Sequence, residues 1–202
     1  MVRAAIRILG FELKGLVSIG LWIVRRRHGV PAGATVVSYA KEQTFTLWLM
    51  LFAMAVETVV IDLLLVATGV PEWIRFTVLI ADVYGLLFGV MLAAGCVTRP
   101  HVVTADELRI RYAAYFDVRV PRDLIASVRS SRNDNEGSMV SVKNGHLRVA
   151  VGSRTNVTIE LTEPAAFVRP LGRRAEATTI SFFADQPEPV VAALRSDRPV
   201  RS

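Results

Sequence analysis

Two stretches decide the architecture: TFTLWLMLFAMAVETVVIDLLLVATG, from Thr44 to Gly69, and FTVLIADVYGLLFGVMLAAGCV, from Phe76 to Val97. The first has 26 residues with Glu57 and Asp62 as its only charges, and the second has 22 with Asp82 alone. Each is long enough to cross a hydrocarbon core of ~30 Å as a helix. The break between them, VPEWIR, carries Pro71, which interrupts a helix, and Trp73, which favours the headgroup boundary. A tight transmembrane α-hairpin is expected.

Charge outside the hairpin fixes its expected orientation. Arg25, Arg26, Arg27 and Lys41 precede the first span and Arg99, Arg109 and Arg111 follow the second, against Arg75 in the connecting loop. Positive charge is retained inside, so the chain reads as a two-pass membrane protein with both termini cytoplasmic. A single cysteine, Cys96, excludes an internal disulfide framework, and three histidines leave no Cys/His metal site. The 24 basic residues divide into 21 Arg and 3 Lys, a compositional skew rather than a nucleic-acid footprint. The β-branched runs of the second half carry no aromatic interleaving of the kind single-stranded nucleic acid requires.

Before the hairpin, MVRAAIRILGFELKGLVSIGLWIV is apolar, but its uninterrupted core is only Gly15 to Val24. Ten residues are too short to span, and Arg25 to Arg27 stand where a secretory signal would not be basic. On a helical wheel Arg3, Arg7, Lys14, Ser18 and Arg25 form one narrow polar stripe on a broad apolar surface. Such a helix either lies in the membrane interface, with its basic residues (Arg3, Arg7, Lys14 and Arg25 to Arg27) toward anionic headgroups and Trp22 as anchor, or packs on the spans or on a second subunit. Residues 28–43 are a Pro- and Gly-containing connector.

Ionisable groups inside a bilayer are costly, which makes Glu57, Asp62 and Asp82 the intramembrane candidates. Counted from Gly69 and Arg75, Asp62 and Asp82 fall at one depth, ~10 Å below the helix ends. At one depth they can share a proton or hold a cation, with Arg75 reaching toward Asp82. Glu57 is about 140° around the helix from Asp62 and cannot face the same neighbour. On the second span Ala81, Gly85, Gly89 and Ala93 recur every four residues, a small-residue stripe that lets helices approach closely. Protonated acids bonding between helices, in the hairpin or a homo-oligomer, are the simpler use of these groups.

From residue 98 the texture changes to short β-branched runs: HVVT, LRIRYAAYFDVRV, SVRSSR, MVSV, LRVAV, NVTIEL and TTISFFA. Seven strand candidates separated by turn residues indicate a β-sandwich or small barrel. Asp185-Gln186-Pro187-Glu188 then reads as a capping box with Pro in the first turn, opening a helix over residues 186–195. The fold class is therefore α+β. No nucleophile elbow, P-loop or dinucleotide fingerprint is present, so no catalytic residue and no cofactor is assigned. Arg169, Arg173 and Arg174 in RPLGRR surround one turn that could meet a phosphate, and Lys143, His146 and Arg148 surround another.

The runs PHVVTADELRIRYAAYFDVRVPRDLIASV and NVTIELTEPAAFVRPLGRRAEATTISFFADQPEPVVAAL, placed after a transmembrane hairpin, resemble the bacterial pleckstrin-homology-like domain of small membrane proteins. The whole chain is similar to uncharacterised actinobacterial two-pass membrane proteins of this layout. The resemblance implies a seven-stranded sandwich closed by one helix, and a location, with no activity to carry over. The expected function is non-enzymatic: a protein- or lipid-interaction scaffold at the bilayer, with a protein partner or a homo-oligomer. The alternative is an oligomeric ion or proton pathway through Glu57, Asp62 and Asp82.

Overall fold

Long apolar runs without Pro or Gly pairs propagate as helices, and the computed structural model has them longer than the apolar cores alone. It describes residues 2–170 and 172–196, with side chains from residue 8 to residue 195. The N-terminal helix α1 covers Val2–Ile23, α2 covers Lys41–Ala67 and α3 covers Glu72–Thr98. Pro71 sits immediately before α3, where its missing N–H costs nothing. Gly69, at φ +67°, turns the chain between α2 and α3. In the most apolar window of each of these two helices only 6% of residues are buried. A core helix of a soluble protein would hide those side chains; α2 and α3 are long and apolar enough to span a membrane and leave theirs exposed.

Small residues set the register of the hairpin. A Cβ on Gly89 would lie 2.7 Å from Leu51, and one on Gly85 would lie 3.2 Å from Met54, so the helices touch along this line. Trp48 is nineteen residues before Ala67, about 28 Å along the axis at 1.5 Å per residue. Trp73 stands exposed at the opposite end of the hairpin. Two tryptophans separated by one hydrocarbon thickness form the boundary pattern expected of a spanning element.

The chain then forms β1 (Thr35–Val37, before α2), β2 (His101–Val103), β3 (Glu107–Tyr112), β4 (Phe116–Pro121), β5 (Ile125–Asn133), β6 (Val140–Lys143), β7 (His146–Val149), β8 (Thr155–Val168) and β9 (Arg174–Phe182). These lie in two sheets, of order β1-β2-β3-β4 and β5-β8-β9-β7-β6, neither closed into a barrel. The sequence reading expected seven strands. LRIRYAAYFDVRV is two strands, not one, because Ala113 takes a left-handed φ of +46° and folds the run back so that Tyr112 pairs with Phe116. Another extra strand, β1, comes from the connector and pairs antiparallel with β2 through Thr35–Val103, Val36–Val102 and Val37–His101.

Alternation drives the sandwich. On β4, Phe116, Val118 and Val120 point inward while Asp117, Arg119 and Pro121 are exposed. With Leu108, Ile110, Leu147, Val149, Ile159, Ile180 and Phe182 they form the core between the sheets. The last helix, α4 (Pro187–Ser196), packs on β5 and β8 of one sheet and on β1 and β2 of the other, burying Val190 and Leu194. Arg122 donates to the carbonyls of Ala193 and Leu194 and so caps the end of α4. The expected capping box is redirected: the Asp185 carboxylate accepts from the Lys41 N–H, at the start of α2. There it meets the positive end of a helix dipole.

Candidate functional site

The site is the junction where α1, α3, the connector and the β-domain meet. On α1 the small side of the helix faces α3: a Cβ on Gly15 would lie 2.7 Å from the Met91 sulfur. Ser18, expected in an exposed polar stripe, is instead fully buried, because Arg99 at the end of α3 donates from Nε to its Oγ at 3.0 Å. Trp22 meets Trp48, with ring centroids 6.1 Å apart. Lys14 and Arg25 to Arg27 remain exposed, while the side chains of Arg3 and Arg7 lie outside the described residues. Thus α1 packs along α3 at the tryptophan boundary while keeping its basic end at the surface.

A buried polar hub ties the hairpin to the sheet. Gln43, in the first turn of α2, donates to the Cys96 sulfur of α3 at 2.9 Å and accepts from the Tyr112 hydroxyl of β3 at 3.2 Å. The Tyr39 hydroxyl accepts from the Ala113 N–H at 2.8 Å, and its ring stacks on His101 at 4.5 Å. His101 Nδ1 accepts from the Arg111 N–H at 3.0 Å, and Nε2 donates to the Phe183 carbonyl at 2.9 Å. Both nitrogens are thereby used in the neutral form. Burial pushes the His101 imidazole down to about 4. Arg111 is buried too, and donates from Nη1 to the His28 carbonyl at 2.8 Å and from Nη2 to the Gly29 carbonyl at 2.9 Å. Burial and the neighbouring Arg109 lower it to about 10. Asp117 is the carboxylate nearby, chelated by Arg109 and 3.9 Å from Arg111.

Two grooves open at this junction. The first, about 470 Å³, is almost entirely apolar and lies between α1 (Phe11), α3 (Tyr84, Phe88), the β3–β4 turn (Tyr115) and the start of β6 (Met139, Val140). Its polar handle is the Tyr84 hydroxyl bonded to the Glu12 carboxylate. The second, about 560 Å³, runs between the end of α1 and the end of α3 and is bordered by Arg25, Arg26 and Arg27. Pockets of this size are in the range used for small ligands and side-chain anchors. Sequence reasoning missed the first groove, since its walls come from five separated segments of the chain; the aromatic density of Tyr112, Tyr115 and Phe116 was the available signal.

The intramembrane carboxylates are not brought together. Asp62 is chelated by Arg75, with Nε and Nη2 at 2.7 and 2.9 Å from its oxygens. Asp82 is about 6 Å deeper, by the register of the Gly89–Leu51 and Gly85–Met54 contacts, because α3 starts at Glu72 rather than after Arg75. It is half-buried, Glu57 is exposed, and among the described residues neither has a hydrogen bond or ion pair. Of the small-residue stripe, Gly85 and Gly89 face α2, Ala93 lines a crevice with Trp22 and Trp48, and Ala81 is exposed. Arg173 and Arg174 are exposed on the β8–β9 turn, closed by Arg169 N–H to Arg173 carbonyl at 2.8 Å, and Pro170 of that turn borders the apolar groove. Among the described residues no group of three His, Cys, Asp or Glu is placed to hold a metal.

No protein-family model, curated protein or solved structure matches this chain. Its site must be interpreted from its own geometry.

Proposed function

We propose that the protein is a non-enzymatic scaffold of the bacterial inner membrane, with both termini cytoplasmic and a pleckstrin-homology-like domain held against the bilayer to receive a protein partner. The observation that carries this is an open strand edge beside an apolar groove. β6 ends its sheet and pairs with β7 alone. The Asn144-Gly145 turn has φ of +52° and +70°, a two-residue I′ hairpin, so Lys143–His146 and Ser141–Arg148 are the mutually bonded pairs. Val140 and Val142 therefore turn their N–H and C=O outward. An extended segment can add there as a further strand, and an apolar side chain from it can enter the groove beside Met139.

Photo-crosslinking of the full-length chain in its own membranes tests this. Val142→Pro removes one outward donor without touching the β7 ladder. Loss of a captured partner with thermal unfolding unchanged supports strand addition, whereas undiminished capture refutes it.

A further inference from the structure

The α1 helix ends in a way that needs a reason. The backbone N–H of Arg25 donates to the Trp22 carbonyl at 3.0 Å and that of Arg26 to the Leu21 carbonyl at 2.8 Å, the two bonds of a Schellman motif. The residue placed in the left-handed position is Arg25, at φ +53°, where glycine is the unstrained choice. Three residues later the His28 N–H donates to the Thr98 carbonyl at 2.8 Å. Arg25, Arg26 and Arg27 are thus strung between two fixed points, the end of α1 and the end of α3. All three are exposed, and among the described residues none has an ion pair. The groove they border has apolar walls from Trp22, Ile23 and Val97. Trp22 lies against Trp48, so the groove opens at the tryptophan boundary of the hairpin.

We propose that this groove is a binding site for an anionic glycerophospholipid of the inner leaflet, its phosphate held by Arg25, Arg26 and Arg27 and its acyl chain laid on Trp22, Ile23 and Val97. This deepens the membrane-scaffold reading and rests on the domain end of the hairpin being cytoplasmic. Guanidinium groups match phosphate oxygens through paired N–H donors, and three uncompensated cations leave the groove without an internal anion. A soluble phosphate would use the arginines but not the apolar wall. A zwitterionic lipid would bring its own cation into a site that already holds three. Each arginine near an anionic surface contributes about fivefold in affinity.

The test uses the full chain with Trp48→Phe and Trp73→Phe, so that Trp22 reports alone, reconstituted in phosphatidylcholine vesicles. A minor fraction of bromine-labelled phosphatidylglycerol is expected to quench Trp22 several-fold more than the same fraction of bromine-labelled phosphatidylcholine. Arg26→Gln with Arg27→Gln is expected to abolish that preference. Arg25→Gly relieves the left-handed strain, so it should lower the preference while thermal unfolding stays unchanged or rises. Equal quenching by the two lipids, a preference surviving in the double glutamine variant, or one undiminished in Arg25→Gly, overturns the proposal. Inorganic phosphate abolishing the preference, where chloride at matched ionic strength does not, overturns the lipid assignment in favour of a free anion. Partner capture at β6 uses none of these arginines, so the two readings fail separately.

Discussion

At the loop end of the hairpin, the polar link between α2 and α3 is the ion pair of Asp62 with Arg75, flanked by an exposed Trp73. At the domain end, the buried side chains of Gln43, Tyr39, His101 and Arg111 bond to a thiol, a phenol and five backbone groups. A charge pair whose two members are both partly exposed tolerates the loss of one. Buried partners cannot be removed singly without leaving the other unsatisfied. The two ends therefore differ in how much they fix: one closes a turn, the other sets the position of a whole domain.

The sharpest break in this contrast is at Tyr39. Tyr39→Ala empties a fully buried site and frees the Ala113 N–H, and is expected to cost about 3–5 kcal/mol, read as a lowered thermal midpoint of the β-domain. The same reasoning expects a chain begun at residue 98 to lack a folded domain, because β1 and Tyr39 are then missing.

Acid tests the same hub without mutation. His101 is neutral in the fold, with a value near 4 against an ordinary 6.5. The unfolded chain takes up a proton that the folded chain refuses, so stability is complete above pH ~6.5 and falls as the pH drops toward 4, by on the order of 3 kcal/mol. Denaturation at stepped pH should show this slope, and His101→Gln should flatten it. An unchanged slope would remove His101 from the hub.

Within the spans, Gly89→Leu collides with Leu51 and is expected to part α2 from α3 at a cost of about 1–3 kcal/mol, read as weakened crosslinking between cysteines placed on the two helices. The smallest effect belongs to the loop end. Asp62→Asn should leave the midpoint of detergent unfolding nearly unchanged, and a loss as large as that of Tyr39→Ala would make the two ends equivalent.

How much of this was legible in the sequence follows from the range of each interaction. The spans were, because a run of apolar residues is a local signal that lipid alone satisfies. Helix α4 was, because Pro187 and the residues around it speak for their own neighbourhood. The fold-back at Ala113 was not: YAAY has no Gly, Pro or Asn, and the left-handed turn is imposed by packing, with Ala113 Cβ 3.0 Å from where a Gly95 Cβ would stand. Strand β1 was invisible because its partner lies across the hairpin. Asn156, which carries no signal in the sequence, bonds both backbone groups of Ala184 at 2.8 and 2.7 Å and fixes the approach to α4. Of the site, the basic triplet Arg25 to Arg27 was readable, while the groove that gathers it was not.

The pairing of β1 with β2 places the entire hairpin inside the sheet as an excursion between Val37 and His101. A ribosome delivers β1 first, and its partner strand emerges only after both spans. Sheet completion therefore joins residues 64 positions apart across a loop that closes at low entropic cost only when the two spans stand side by side. Completion of the β-domain therefore depends on closure of the hairpin: a chain whose two apolar helices do not stand side by side keeps an unpaired β2 edge and an unfilled Tyr39 site.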